Sequence, residues 1–512
     1  MKLLKSKRYL KKINSSNVYD VAISTPLFPA PLLSKNLGNN VLLKREDLQP
    51  IFSFKLRGAY NKISMLKDKK KIERVVAASA GNHAQGVAFA SKKLGIKATI
   101  VMPVTTPNIK VRAVKNLGSK VVLEGDNFDE AYAYAIKLSV KPNVVFVHPY
   151  DDPDVIAGQG TIGKEILDDH PDSLEAIFVP VGGGGLLAGI GAYVKCLRPE
   201  IQMIGVEPED AAGLKAALKA NKRVSLKEVG LFVDGVAVKQ VGELTFPIIK
   251  EWVSEVVTVT VDEICAAVED IFQETRTISE PAGALSLAGL KKLTKSKGWK
   301  GKNLVAINSG ANLNFDRLSH IVERVQLGEK KEVLLSVRIP EEKGSFRKFC
   351  KDLGKRMITE FNYRIDDEEG ANIFVACKVN DGISEKSKFI KDLKKKGYLP
   401  KDLSDNEMAK LHVKHMVGGR APEEIISYGE QLFRVEFPER PGALMEFLNL
   451  LGDKWNITLF HYRNQGSAYG RVLVGFQANS REKFKLLKNL SKTKLLFWDE
   501  SNNFQRSVGV NF

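Results

Sequence analysis

A run of four consecutive glycines is the feature of this sequence that most suggests chemistry. It reads Val181-Gly182-Gly183-Gly184-Gly185-Leu186 and follows the apolar stretch Ile177–Val179. Glycines at a strand-to-helix turn let backbone N–H groups approach a phosphate, and a helix N-terminus favours its negative charge. We therefore predict that a phosphate group is bound by Gly182, Gly183, Gly184, Gly185 and Leu186.

The glycine run by itself leaves two alternatives open. Gly183-x-Gly185-x-x-Ala188 also fits the dinucleotide fingerprint, and Glu207 stands about where a ribose-binding acid is expected. The run could also be a tight strand-to-helix turn that binds nothing. Other segments must decide between a nicotinamide dinucleotide, another phosphate-bearing cofactor and no ligand.

A lysine set among apolar residues is a candidate nucleophile. Lys55 lies in the segment Ser53-Phe-Lys-Leu-Arg-Gly-Ala59. Burial disfavours the charged form of a lysine and lowers its pKa, which makes the amine usable as a nucleophile and base. The alternative is a surface lysine whose stem crosses apolar neighbours.

Two further polar segments follow stretches that are predicted to be strands. Ser79-Ala-Gly-Asn-His-Ala-Gln-Gly86 leads into a helix, and its small residues and free N–H groups suit a carboxylate. A plain helix cap is the alternative for this segment. Ser309, in Asn308-Ser-Gly-Ala-Asn312, could direct its hydroxyl at a ring nitrogen, or belong to an ordinary turn.

These segments lie in an alternation of apolar strands and amphipathic helices that extends to about residue 325. Continuous β-branched runs between helices are typical of parallel strands buried on both faces. The sequence therefore predicts an open α/β unit whose ligand site lies in loops at the carboxyl ends of the strands. The predicted strands include Arg74–Ala78, Ala98–Met102, Lys120–Leu123, Val144–Val147, Ala176–Val181, Gln202–Val206 and Asn303–Ile307, with helices at Asn82–Leu94 and Lys110–Leu117.

The order of these segments resembles the fold-type II pyridoxal-phosphate (PLP) enzymes, also called the tryptophan synthase β-like family. Ser53–Ala59 is similar to the cofactor-lysine motif of the serine and threonine dehydratases, and the glycine run to their phosphate cradle. Ser79–Gln85 is similar to their substrate-carboxylate loop. The resemblance covers residues 18–325. Other segments that fit it are His148–Asp152, Ile156–Thr161 and Glu280–Ala284.

The resemblance implies a role for each candidate residue. Lys55 would carry PLP as a Schiff base and, once displaced by the substrate amine, take the Cα proton. Asn82 would hold the ring oxygen and Ser309 the ring nitrogen. A neutral hydroxyl there draws less charge into the ring than a carboxylate would, which favours β-elimination over transamination. The substrate carboxylate would be bound by Ser79, Gly81, Asn82 and His83, the last of these as a residue of the helix start more than as a base.

No metal site is predicted. Some members of the family bind a divalent cation near the position of Glu207, but a second ligand is not evident in Glu207–Gly213. The cysteines are far apart and form no CxxC pair, so neither a zinc site nor a disulfide framework is indicated.

The region after about residue 325 contains an internal repeat. Glu332–Gly344 matches Glu430–Gly442, and Ile358–Arg364 matches Ile457–Arg463. Each copy is predicted as strand, turn, helix, strand, turn, strand. The copies resemble the two α+β ACT-like regulatory domains of the biosynthetic threonine deaminases, although small domains kept only for assembly are an alternative. The predicted domains are 1–325, with a smaller subdomain at about 47–152, then 332–404 and 430–505.

This second resemblance implies feedback control of a homotetramer, with isoleucine as inhibitor and valine as activator. Several aromatic residues near the repeat strands could line effector pockets, although core packing is the simpler role for each. These residues are Phe361, Tyr363, Phe460, His461 and Tyr462.

Composition and charge exclude other classes of protein. The net charge of +18 would suit a nucleic-acid partner, but the lysines are dispersed and no nucleic-acid motif accompanies them. No apolar run has the ~18 residues of a membrane span, and no secretory signal follows the basic N-terminus. A cytoplasmic enzyme is therefore expected.

The combined hypothesis is PLP-dependent dehydration of L-threonine to 2-oxobutanoate and ammonia, the first step of isoleucine biosynthesis. The alternatives are a catabolic serine/threonine dehydratase or serine racemase, which share the catalytic segments but are usually shorter. A non-catalytic amino-acid sensor that kept the fold is a third reading.

Overall fold

The structure is a computed structural model. It describes residues 2–69, 72–170, 173–328, 332–340, 342–354, 356–365, 370–379, 382–404, 406, 423–438, 442–451, 454–463, 469–493 and 495–501. The chain divides into two compact units, residues 1–325 and 326–512. In the part of the chain that is described, no helix combines the length and the apolar character needed to cross a membrane.

The first unit alternates strands and helices. Its strands are β1 (Leu27–Pro29), β2 (Asn40–Arg45), β3 (Arg74–Ala78), β4 (Lys97–Met102), β5 (Lys120–Leu123), β6 (Val144–Phe146), β7 (Ala176–Pro180), β8 (Gln202–Pro208), β9 (Val253–Val259) and β10 (Asn303–Asn308). Its α-helices are α1 (Lys2–Asn14), α2 (Pro31–Leu37), α3 (Lys55–Lys69), α4 (Asn82–Leu94), α5 (Asn108–Asn116), α6 (Phe128–Ser139), α7 (Pro153–Asp169), α8 (Gly185–Leu197), α9 (Gly213–Ala220), α10 (Thr245–Trp252), α11 (Val261–Thr275), α12 (Pro281–Lys297) and, extending past residue 325, α13 (Leu318–Gly328).

Parallel pairing dominates both sheets of the first unit. The larger sheet has the strand order β1-β2-β10-β7-β8-β9 and is parallel apart from the β1–β2 pair. The smaller sheet has the order β5-β4-β3-β6 and is parallel throughout. Every residue of β7 is buried, as expected for a parallel strand with helices on both faces. The predicted open, mostly parallel α/β architecture is confirmed.

The carboxyl ends of these strands bring distant loops together. Parallel strands end at the same edge of a sheet, so the loops that follow them gather there. In the smaller sheet the loops after β3 and β6 carry candidate residues, and in the larger sheet the loops after β7 and β10 do so.

A buried ion network fixes the start of α3, the helix that begins at Lys55. The Arg57 guanidinium is fully buried. It donates to the Glu46 carboxylate at 2.8 Å and to the Glu165 carboxylate at 2.5 and 2.9 Å. Glu46 directly follows β2, and Glu165 lies on α7. The network therefore attaches the first turn of α3 to the larger sheet and to a second helix.

The second unit is built from strands β11 (Glu332–Pro340), β12 (Ile358–Arg364), β13 (Gly370–Lys378), β14 (Lys401–Asp402), β15 (Glu430–Pro438), β16 (Asn456–Arg463), β17 (Tyr469–Gln477) and β18 (Leu496–Asp499). Its helices are α14 (Ser345–Leu353), α15 (Gly382–Lys395), α16 (Glu423–Tyr428), α17 (Ala443–Leu451) and α18 (Ser480–Lys492).

The two copies of the repeat share one antiparallel sheet within the described residues. The strand order is β14-β11-β13-β12-β16-β17-β15-β18. The copies meet where β12 pairs with β16, with Phe361 opposite Tyr462. Across this junction Arg364 donates to the Glu430 carboxylate at 2.5 and 3.1 Å. The predicted α+β repeat is confirmed, whereas the fusion of its copies into a shared sheet was not predicted.

Each copy is longer than the repeat pattern predicts. A further helix and a short strand follow the predicted elements, as α15 and β14 in the first copy and as α18 and β18 in the second. Residues 403–420, whose Gly418-Gly419 pair predicts a connector between the two copies, lie largely outside the described residues. The domain limits 332–404 and 430–505 stay predictions.

The aromatic residues of the repeat strands pack largely in the core of the second unit. Phe361 and Phe460 are fully buried, with ring centroids 5.6 Å apart. The Phe346 ring lies 5.3 Å from the first and 5.2 Å from the second. These phenylalanines therefore join the two copies through a shared apolar core.

Removal of the Arg57 guanidinium is expected to destabilise the first unit. Arg57→Ala leaves the buried Glu46 carboxylate without its counter-charge and leaves the Glu165 carboxylate paired with Lys44, at a cost of about 3–5 kcal/mol. Urea unfolding of the full chain measures the loss. Lys164→Ala is the control, because the Lys164–Asp168 pair on α7 is exposed and contributes less than about 0.5 kcal/mol. Equal losses in the two variants would contradict the importance of the buried network.

Candidate active site

The site forms around Lys55, the first residue of α3. Its Nζ donates a 2.9 Å hydrogen bond to the carbonyl oxygen of Pro149, in the loop after β6. Burial lowers the pKa of Lys55 to about 8, while the Glu280 carboxylate opposes the shift. A larger fraction of this amine is therefore neutral, and nucleophilic, near neutral pH than for an exposed lysine.

The glycine run forms a tight turn from β7 into α8, and Gly183, Gly184 and Gly185 leave no room for a side chain. A Cβ on Gly183 would clash with the face of the Tyr150 ring, 2.3 Å from its nearest atoms, and one on Gly185 would lie 2.9 Å from the Tyr150 carbonyl oxygen. Gly184 has a φ of +88°, which favours glycine. The backbone N–H groups at the start of α8 therefore form a cradle suited to a phosphate.

The loop after β3 supplies small residues and a helix start. The Ser79 hydroxyl accepts a 3.2 Å hydrogen bond from the Gly81 N–H. No atom of the described residues lies within 4 Å of where a Cβ on Gly81 would be. Because α4 begins at Asn82, the N–H groups of its first turn lack intrahelical partners. An open, small-residue loop with such donors can accept a carboxylate.

His83 turns its ring away from this loop. Its Nε2 lies 2.8 Å from the Val147 carbonyl oxygen, and the side chain is buried. Burial lowers the pKa of His83 to about 3, and the charge on Lys55 adds to the shift. The ring is therefore neutral and serves packing, so any contact of His83 with a substrate falls to its backbone N–H.

The Asn82 amide is oriented from both sides. Its Nδ2 donates to Glu280 Oε1 at 2.6 Å, and its Oδ1 accepts from Asn312 Nδ2 at 2.7 Å. One N–H of the Asn82 amide remains available to donate. Burial raises the pKa of Glu280 to about 7, and the Asp234 charge adds to the shift. Sequence reasoning singled out Glu280 without a role and did not anticipate this contact with Asn82.

Ser309 directly follows β10, in the same loop as Asn312. Its hydroxyl is buried and donates a 3.2 Å hydrogen bond to the Ala282 carbonyl oxygen. Its own carbonyl accepts from the Phe54 N–H at 3.2 Å, and Ser53 bridges to Gly310. The Ser309 loop is thus attached directly to the segment that carries Lys55.

The predicted residues therefore meet in one region. Contacts link the Lys55 segment to the loops after β6 and β10, the β6 loop to the glycine run, and the β3 loop to Asn312. The described residues fit PLP, because they supply a phosphate cradle, a desolvated lysine, an oriented amide and a neutral hydroxyl. Among the predicted side chains, the His83 ring is the exception, because it contacts Val147 instead of this region.

Glu207 makes backbone hydrogen bonds at the start of a helix. Its carboxylate accepts from the N–H groups of Leu214 and Lys215, at 2.6 and 2.9 Å, and so caps the start of α9. Among the described residues, no group of three acidic, histidine or cysteine side chains could hold a metal ion. Because these backbone groups occupy the Glu207 carboxylate, the dinucleotide alternative no longer has an acidic residue to bind the ribose.

Comparisons with known proteins agree with this site. Residues 18–310 match the family described as pyridoxal-phosphate dependent enzyme. Residues 323–413 and 423–506 match the C-terminal regulatory domain of threonine dehydratase.

Relatives match over nearly the whole chain. The biosynthetic L-threonine dehydratase IlvA of Burkholderia multivorans is 50% identical over 498 residues, 97% of each chain. That of Escherichia coli is 51% identical over 474 residues, 93% of this chain and 91% of the relative.

Solved structures match the first part of the chain. Processed threonine deaminase isoform 2 from Solanum lycopersicum superposes with a TM-score of 0.62 and 48% identity, covering 63% of this chain and 89% of that one. Maize serine racemase superposes with a TM-score of 0.58 and 29% identity, covering 61% and 96%. From the site and these similarities together, the chain belongs to the pyridoxal-phosphate-dependent threonine dehydratases that carry a C-terminal regulatory domain.

Proposed function

We propose that this chain converts L-threonine to 2-oxobutanoate and ammonia, the first step of isoleucine biosynthesis. The observation that carries the proposal is the buried Lys55 amine, which donates to the Pro149 carbonyl oxygen next to Tyr150, the residue that packs on the glycine run. The neutral Ser309 hydroxyl lies in a loop attached to the Lys55 segment. The relatives named as threonine dehydratases, which match this chain over nearly its full length, support the substrate.

Residues of the site have two tasks, which are to hold the cofactor and to transfer protons. PLP, when bound, supplies the electron sink for the charge that develops at Cα. Lys55 holds it covalently and, once freed, takes the Cα proton as general base. When the Lys55 amine is free, it donates a hydrogen bond to the Pro149 carbonyl oxygen. The phosphate is held by the backbone of Gly182, Gly183, Gly184, Gly185 and Leu186.

Asn82 and Ser309 set the electronic state of the ring. The remaining Asn82 N–H would donate to the ring oxygen, since the other amide positions of Asn82 are occupied by Glu280 and Asn312. The Ser309 hydroxyl would meet the ring nitrogen without adding a negative charge, which would limit how much charge the ring draws from Cα. Elimination of the β-hydroxyl is thereby favoured over transamination. The substrate carboxylate is held by Ser79 and by the backbone N–H groups of Gly81, Asn82 and His83.

We further propose that the second unit binds isoleucine as inhibitor and valine as activator. A pocket there takes residues from both copies of the repeat and combines a charged rim with an apolar wall. It is lined by Glu342, Gly344, Phe346, Arg347, Tyr363, Leu448, Leu451, Trp455, Asn456, Ile457 and Phe476.

The chemistry of this pocket suits a branched-chain amino acid. Glu342 can pair with an amino group and Arg347 with a carboxylate. The buried Trp455 Nε1 has no hydrogen-bond partner among the described residues, so a ligand oxygen would satisfy it. Leu448 and Leu451 offer apolar surface to an aliphatic side chain. Of the aromatic residues predicted from the sequence, Tyr363 lines this pocket.

The assembly and location follow the same family resemblance. We propose a homotetramer in the cytoplasm. The cysteines Cys196, Cys265, Cys350 and Cys377 are free thiols, which suits a reducing compartment. Light scattering on the purified full chain tests the tetramer, and cell fractionation tests the location.

Lys55→Ala is expected to abolish both cofactor attachment and turnover. Without the amine the protein loses the visible absorption band of bound PLP that borohydride removes, and 2-oxobutanoate release from threonine falls by at least about 10³-fold. Lys67→Ala is the control, because Lys67 is an exposed residue of the same helix.

The same assay separates the alternatives. A Lys55→Ala protein that keeps the borohydride-sensitive band would refute the role of Lys55. Racemisation of serine by the wild-type chain without keto-acid release would favour a serine racemase. Comparable rates with serine and threonine, and no response to isoleucine, would favour a catabolic dehydratase.

Arg347→Met is expected to weaken inhibition by isoleucine. Losing a charge-assisted hydrogen bond to the effector carboxylate raises the isoleucine concentration for half-inhibition by about 10- to 100-fold. Lys348→Met is the matched control, since Lys348 is the next residue on α14, is exposed and does not line the pocket. If both variants shift inhibition equally, or neither does, this pocket is not the isoleucine site.

A further inference from the structure

The loop at residues 242–245 forms hydrogen bonds with a carbonyl group of the glycine run. The Gly183 carbonyl oxygen accepts two hydrogen bonds from this loop, from the Thr245 hydroxyl at 2.7 Å and from the Gly242 N–H at 3.1 Å. The peptide unit between Gly183 and Gly184 is planar and trans, so its N–H points opposite to its carbonyl. Fixing the Gly183 carbonyl therefore fixes the direction in which the Gly184 N–H is presented.

Asp151 in turn holds this supporting loop. Its carboxylate accepts from the N–H groups of Glu243 and Leu244 at 2.8 Å and of Thr245 at 3.3 Å. A Cβ on Gly242 would lie 2.2 Å from Asp151 Oδ1, so the loop approaches the carboxylate closely. Asp151 lies after β6 of the smaller sheet, whereas the glycine run follows β7 of the larger one. The contact therefore joins the two sheets' loops.

The segment that contains Asp151 also receives Lys55. The Pro149 carbonyl accepts the Lys55 amine at 2.9 Å, and the Asp151 N–H donates to His148 Nδ1 at 2.8 Å. One short segment after β6 thus contacts the lysine at one end of the cofactor site. At the other end it supports the phosphate loop through residues 242–245.

We propose that Asp151 is a positioning residue that orients the Gly183–Gly184 peptide relative to Lys55, and thereby makes the site selective for the phosphorylated form of its pyridoxal cofactor. The inference rests on the proposed function for the identity of the cofactor. Asp151 acts through residues 242–245 and Gly183. A bound phosphate would lie on the N–H side of the Gly183–Gly184 peptide, whereas Asp151 supports the residues on its carbonyl side.

The structure also offers a matched neighbour with a purely structural contact. Asp152 caps α7 by accepting from the N–H groups of Asp154 and Val155 at 2.8 and 3.2 Å, and it pairs with Lys62 at 2.7 Å. Among the described residues, the hydrogen bonds and the ion pair of Asp152 do not involve residues 242–245. Loss of either carboxylate removes backbone hydrogen bonds at a helix start, but only Asp151 supports the phosphate loop.

The test compares binding of PLP with binding of pyridoxal, which lacks the phosphate. Cofactor-free full-length chain is titrated with each aldehyde, and the dissociation constants are measured by absorbance. Asp151→Ala is expected to weaken PLP by about 10-fold while pyridoxal changes little. Thr245→Val, which removes the hydroxyl that donates to Gly183, is expected to weaken PLP selectively by about fivefold. Asp152→Ala is expected to leave the ratio of the two constants unchanged.

A purely structural role gives a different result. If Asp151→Ala weakens PLP and pyridoxal by the same factor, or Thr245→Val leaves their ratio unchanged, the proposal is overturned. Thr245→Val decides alone if Asp151→Ala fails to fold. Release of 2-oxobutanoate from threonine by the wild-type chain tests the proposed function separately, so the two can fail independently.

Discussion

A guanidinium buried between two carboxylates determines where the reactive lysine lies. Arg57 is two residues after Lys55, and its bonds to Glu46 and Glu165 attach the first turn of α3 to the end of β2 and to α7. A buried charge is tolerated only when it is paired and fully hydrogen-bonded. The surroundings of Arg57 therefore tolerate little displacement, and this restricts the position of Lys55 in the same helical turn. The loops of the site surround the Lys55 amine, whose backbone position is fixed by these ion pairs.

Polar groups in the site are placed by other polar groups instead of by apolar packing. The Asn82 amide is held between Glu280 and Asn312, and the Gly183 carbonyl between Thr245 and Gly242. In both cases the contact leaves a defined N–H group to face a ligand. Because the groups are oriented before a ligand arrives, little reorganisation is needed on binding. This arrangement supports the assignment to the PLP-dependent enzymes.

Much of this architecture follows from the sequence, for identifiable reasons. β3 and α4 have the predicted bounds, because apolar runs and a Ser/Asn-rich start mark them locally. The contact of Asp151 with residues 242–245 was not predicted, since the partners are remote along the chain and show no periodic pattern. The ring orientation of His83 likewise depends on Val147, which its own segment does not encode. The repeat predicted two similar units, but strand patterns do not show which edges will pair.

The junction of β12 with β16 has a consequence for how the regulatory unit could arise. A single copy of the repeat leaves the edge of β12 unpaired, and an exposed edge can recruit a strand from another chain. Tandem duplication supplies that strand within the same molecule, at a far higher effective concentration than a separate chain could reach. A symmetric dimer contact thereby becomes an internal one. Its two faces are then free to diverge, so that one copy can specialise while the other preserves the shared sheet.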